Sequence, residues 1–159
     1  MKKLFLILLI FTLFLTSCDP AVYHFDADEI IQGATKIELL EFQNDNPVDV
    51  KVDENTVLSF DRSKAIFIKE LDKSQFEAFA NDLSSIIFHQ ENESVTAPIG
   101  YTVLIHLDNE EIIVISCTVL DIGYSMVARF KADGTFLEHI ATFADELRWR
   151  RVLEKYFNV

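Results

Sequence analysis

The side chains of this chain most able to do chemistry are its four histidines and its 26 carboxylates. His24-x-Asp26-x-Asp28-Glu29 gathers one imidazole and three carboxylates within six residues, and His89-x-Glu91-x-Glu93 repeats the pattern on a smaller scale. Carboxylate oxygens attract Ca²⁺ or Mg²⁺, and imidazole nitrogen attracts Zn²⁺. Neither run has the helical i, i+4 spacing or the glycine-pinned loop that makes a metal motif specific. Both therefore read as solvated acidic segments, and no metal or other cofactor is expected. His106 and His139 lie in apolar stretches that read as strands. Side by side they would share one site; apart, they read as hydrogen-bonded structural residues.

Nucleophiles fare no better. No Gly-x-Ser-x-Gly is present, and glycine at 33, 100, 123 and 134 alone builds no phosphate-cradling loop. Cys117 sits among branched aliphatics in IIVISCTVL, whereas a reactive thiol wants a basic, partly exposed setting. It reads as a buried, inert cysteine. No catalytic residue is assigned. Arg148, Arg151 and Lys155, with Arg150 beside them, recur at three- and four-residue steps near the C-terminus. They can dock an acidic partner or lipid headgroups, although a solvated helix face is the preferred reading. With His89, Glu91 and Glu93 they complete the set of candidate partner-binding residues.

Charge narrows the classes. The chain carries 26 acids against 14 Lys and Arg, a formal charge of −12. Nucleic-acid binders need a basic footprint, so no nucleic-acid partner is expected. Electrostatic adhesion to anionic lipid is opposed as well, so any membrane attachment has to come from elsewhere in the chain.

The first residues supply it. Lys2 and Lys3 precede Leu4 to Leu15, twelve residues of which only Thr12 is not apolar. As a helix they span about 18 Å, short of the roughly 30 Å core of a bilayer. A positive start, a short apolar run and small residues at a cut site describe a secretory signal. Leu15-Thr16-Ser17-Cys18 resembles the lipobox of bacterial lipoproteins. The resemblance implies removal of residues 1–17 and a diacylglyceryl thioether on Cys18. It implies a palmitate-type anchor that holds the domain on the extracytoplasmic side of the membrane. Asp19 resembles the signal that keeps such proteins in the inner membrane of Gram-negative cells. Loss of Lys2 and Lys3, with no acid, takes the formal charge from −12 to −14. With Cys18 acylated, Cys117 has no partner within the chain and no disulfide forms.

The remaining chain must position whatever functions. Residues 18–34 are acidic, with Pro20 near the start, and read as a tether with a short helical turn near Asp28 to Gln32. From 35 to 159 the texture is that of one domain. TKIELLEF, VDVKV, TVLSF and AIFIKEL read as strands, with turn chemistry at NDNP, DENT and DRSK. Asp72 with Gln75 forms a capping box ahead of a helix whose apolar stripe is Phe76, Phe79, Ala80, Leu83, Ile86 and Ile87. A polar segment from His89 to Tyr101 reads as the longest loop, a common place for function. YTVLIHL and EIIVISCTVL form a hairpin over the two-residue turn Asn109-Glu110, which sets Leu107 opposite Ile112 and Leu104 opposite Ile115. YSMVARFK and TFLEHIA form a second hairpin about Ala132-Asp133-Gly134; a two-residue loop there pairs Arg129 with Glu138. A last helix runs from about Phe143 to Phe157, capped by Thr142, with Trp149, Val152, Leu153 and Tyr156 inward.

The expected fold is α+β: an antiparallel sheet of six to eight strands built from hairpins, one amphipathic helix mid-chain and one C-terminal helix. The expected function is that of a membrane-tethered, non-catalytic binding module for an envelope protein or peptide. The alternative is a small envelope enzyme or metal-dependent binder built from His89, Glu91, Glu93 and His106.

Overall fold

The computed structural model describes residues 21–42, 62–90, 100–117, 125–141 and 143–159. The predicted strands at 48–52 and 56–60 and the lipobox lie outside them. In chain order the elements are β1 (Ala21–Tyr23), α1 (Ala27–Gly33), β2 (Ala34–Phe42), β3 (Ala65–Glu70), α2 (Phe76–Ser84), β4 (Phe88–Gln90), β5 (Gly100–Leu107), β6 (Glu111–Cys117), β7 (Ser125–Lys131), β8 (Phe136–Ala141), β9 (Phe143–Ala144) and α3 (Glu146–Phe157). The fold is α+β. Six strands form one antiparallel sheet in the order β3-β2-β5-β6-β7-β8, and β1-β4-β9 form a smaller antiparallel sheet.

Strand alternation sorts the large sheet into two buried faces. Ile37, Leu39, Val103, Ile105, Ile113, Ile115 and Val127 face α2 and α3, which contribute Phe79, Leu83, Trp149, Val152, Leu153 and Tyr156 to the same core. Leu40, Phe42, Leu104, Ile112, Val114, Met126, Ala128 and Phe130 form a second cluster on the other face. Two apolar faces are what a run such as IIVIS requires, because either face left in water would expose branched aliphatics.

Several sequence expectations shift. Residues 21–33 are no tether: they form β1 and α1, with Phe25 and Ile30 buried in the helix-side core. Acidic composition pointed to a solvated segment, but Tyr23, Phe25 and Phe88 stack edge to face and hold it down. Ile87 leaves the α2 stripe, since the helix ends at Ser84 and Ile87 is 41 % exposed. His89 lies in β4, and Gly100 and Tyr101 in β5, rather than in a loop. The cap of α3 is Asp145, whose carboxylate accepts from the Arg148 N–H at 3.2 Å.

Both hairpins use three-residue loops. Leu104 pairs with Val114 and Ile105 with Ile113, one residue off the expected register. The reason is Glu110, whose φ of 64° supplies the left-handed residue that closes a three-residue loop. The second hairpin closes with Gly134 at φ 87°, and bulges along β7–β8 restore the expected pairing of Arg129 with Glu138.

Candidate functional site

Glu38 is a charged residue at the centre of an apolar strand. Its neighbours in TKIELLEF put Lys36 on the same face of β2, two residues away. β2 pairs with β5 so that Lys36 stands opposite His106 and Glu38 opposite Leu104. His106 is then the diagonal neighbour of Glu38, within reach of a long side chain. Arg62 arrives from the single turn at Arg62–Lys64 that leads into β3.

These placements converge on one carboxylate with no solvent exposure. Glu38 Oε2 accepts from Lys36 Nζ at 2.7 Å and from Arg62 Nη2 at 2.5 Å. Glu38 Oε1 lies 2.8 Å from His106 Nε2. Burial pushes the carboxyl pKa up, but the hydrogen bonds from His106 and Lys36 and the charges of Lys36 and Arg62 outweigh it, and the group is pushed down to about 2. It is therefore ionised at neutral pH and only accepts, so the proton between it and His106 belongs to Nε2. Glu70, opposite Glu38 in β3, sits 3.6 Å from the Lys36 ammonium and balances part of the remaining positive charge.

His106 and Arg62 also border a half-open cavity of about 460 Å³. Leu104 and Ile112 form its apolar floor, and Ser63, Ala132, Asp133 and Gly134 complete the wall. The size falls within the range of small-ligand pockets. The site offers fixed donors and an apolar surface, with a buried anion behind them to hold the donors still.

A mirror-image cluster occupies the helix-side face. The Arg129 guanidinium meets Glu29 of α1 at 2.8 Å, Glu111 at 3.1 Å and Glu138 at 3.3 Å. The hydrogen bond to Glu29 does most to hold its pKa above the ordinary value. This cluster clamps α1 to the sheet.

The other sequence-derived candidates disperse. In the first acidic run, His24 Nδ1 is 3.3 Å from the Ser84 carbonyl oxygen, Asp26 caps α1 and Glu29 belongs to Arg129. Among the described residues no three His, Cys, Asp or Glu side chains are placed to hold a metal ion. Glu91 and Glu93 lie outside the described residues, as does Cys18. His139 is in β8, three strands from His106, a separation of about 14 Å at one strand spacing each. Burial pushes its pKa down, which keeps the ring neutral. The Cys117 backbone ends β6 opposite Ser125. Within the basic cluster, Lys155 donates to Asp82 at 2.6 Å and Arg148 to the Ser85 carbonyl at 2.8 Å. Arg150 and Arg151 are exposed on the outward side of α3.

Glu38, Lys36 and Arg62 were not singled out by sequence. TKIELLEF holds two acids, Glu38 and Glu41, and the strand pairing rather than any local signal decides which of them is buried and must find donors. No described helix is long and apolar enough to cross a membrane. Comparison with protein-family models, curated proteins and solved structures finds no match to the chain.

Proposed function

We propose that the protein is a lipid-anchored, non-catalytic binding module of the cell envelope. Cys18 carries the anchor, and the cavity beside Glu38, Arg62 and His106 receives a segment of an envelope protein or peptide. The observation that carries this reading is the saturation of Glu38. Three donors consume the one carboxylate buried among the described residues, which makes it a strut for Arg62 and His106 rather than a proton carrier at neutral pH. Donors held in place over an apolar floor bind without needing to rearrange, which lowers the entropic cost of association.

The test is cross-linking in intact cells, followed by solubilisation and mass spectrometry of what copurifies. One near-stoichiometric envelope protein, lost in a Cys18→Ala variant, is the expected result. No partner above that control overturns the reading.

A small hydrolase is the second reading. Ser63 and His106 border the same cavity, and Glu38 stands behind the imidazole. A fluorophosphonate probe separates the two: covalent labelling of Ser63 that His106→Gln abolishes belongs to an enzyme, and the binding module leaves the probe unreacted.

A further inference from the structure

Among the described residues seven large apolar side chains are exposed; Ile31, Ile66, Phe67 and Leu137 lie on α1, β3 and β8, and the other three gather around the small sheet. Val22 of β1 is 54 % exposed. It stands opposite His89 of β4, which stands opposite Phe143 of β9. Ile86 and Phe88 are buried while Ile87 between them is 41 % exposed, the alternation of an extended chain. Ile87 is two residues before His89 and so falls on the Val22 face. Leu147, in the first turn of α3 just after β9, is 69 % exposed. Its neighbour Arg148 donates to the Ser85 carbonyl, which brings the start of α3 beside the 85–87 segment. Leu147 shares its helix face with Arg150, Arg151 and Glu154, opposite the buried Trp149, Val152, Leu153 and Tyr156.

These residues also flank the place where the chain leaves toward Cys18. From Cys18 to Ala21 are three Cα steps, at most about 11 Å. A headgroup layer is about 5–8 Å thick on each side of the bilayer core. A domain held so closely must rest some part of its surface on the headgroups, and the part near the anchor carries three exposed apolar side chains, with Arg150 and Arg151 against Glu154 on the same helix face and Arg148 paired to Asp145 beside them.

We infer that Val22, Ile87 and Leu147, with Arg150 and Arg151, form a seat on the lipid surface that orients the domain. This inference rests on the reading of Cys18 as the acylated residue. Leucine-sized side chains reach the interfacial layer, and arginine stems lie along it with their guanidinium groups on lipid phosphates. The turn at Ala132–Gly134, which borders the cavity, lies at the other end of β8, roughly 20 Å along that strand from Ala141. The seat thus keeps the cavity away from the bilayer.

The test uses the full chain, processed in bacterial cells and reconstituted into phosphatidylcholine–phosphatidylglycerol vesicles with brominated acyl chains. Mass spectrometry of the Cys18 peptide reports acylation separately. Leu147→Trp and Asp133→Trp each add one reporter to a chain whose single tryptophan, Trp149, is buried. The expected result is quenching and a blue shift of the added emission at 147, no quenching at 133, and loss of the 147 signal when Arg150 and Arg151 are both replaced by Gln. Equal quenching at both positions, or none at 147 while Cys18 carries its acyl chains, overturns the seat; the second outcome leaves the patch to a protein partner. An unmodified Cys18 overturns the anchor and the orientation together.

Discussion

His106 donates to Glu38 across β5 and β2, with Nε2 2.8 Å from Oε1. The contact joins residues 68 apart in sequence. It fixes the imidazole at the cavity edge with its proton on Nε2.

Glu38→Gln removes the charge and leaves Lys36 and Arg62 facing each other with Glu70, 3.6 Å from Lys36 Nζ, as the remaining nearby acid among the described residues. A fully buried pair broken in this way costs about 3–5 kcal/mol. Lys36 and Arg62 both reach solvent, which screens part of that loss. A loss of about 2–3 kcal/mol in urea unfolding is expected, with an unchanged slope.

The same carboxylate sets an acid limit. Its folded pKa of about 2 lies below the ordinary 4.5. A depressed carboxyl pKa contributes stability that is complete above the unfolded value and disappears as pH falls through the folded one. The stability difference between the parent and Glu38→Gln should therefore be constant above pH 5 and shrink between about 4.5 and 2. A difference that grows in acid contradicts the assignment.

Arg129→Met leaves Glu29, Glu111 and Glu138 converging on a neutral side chain. Like charges then repel where one guanidinium held them. A loss of about 2 kcal/mol is expected, discounted for the partial exposure of the three acids. Hydrogen exchange should show the amides of Ala27–Gly33 losing protection before those of β5 and β6, because Glu29 is the ionic link between α1 and the sheet.

Glu110→Gly should stabilise. A non-glycine residue in the left-handed region costs about 1–2 kcal/mol, and glycine gives back about 0.5–1 kcal/mol through the freedom of the unfolded chain. The net gain is about 0.5 kcal/mol, or 1–2 °C in Tm for a chain of this length. Calorimetry reads it directly.

How much of this the sequence disclosed depends on the range of the interaction. Local rules located the 72–84 helix start, the inward stripe of Trp149, Val152, Leu153 and Tyr156, and the strands about 35–42, 65–70 and 100–117. The Asn109-Glu110 turn misled by one residue because glutamate seldom takes positive φ, and a one-residue slip turns a strand over. The tether was misjudged because charge was weighed over the few apolar residues that do the anchoring. The Glu38 site was illegible for a different reason. Its parts come from β2, the 62–64 turn and β5, and only the pairing of β2 with β5 brings them together. His106 was noticed as an isolated histidine; its partner was not, since nothing local distinguishes Glu38 from Glu41 in the same strand.

The central claim is that the cavity beside Glu38 and His106 is where a partner docks. A photoreactive phenylalanine analogue at Ser63 places a cross-linker on the cavity wall, and the same analogue at Glu77 places one on the exposed side of α2. Illumination of intact cells should give one discrete adduct from position 63 and none from 77, with the 63 adduct lost on Glu38→Gln. Adducts of the same mass from both positions, or from 77 alone, would contradict the assignment of the cavity as the binding site.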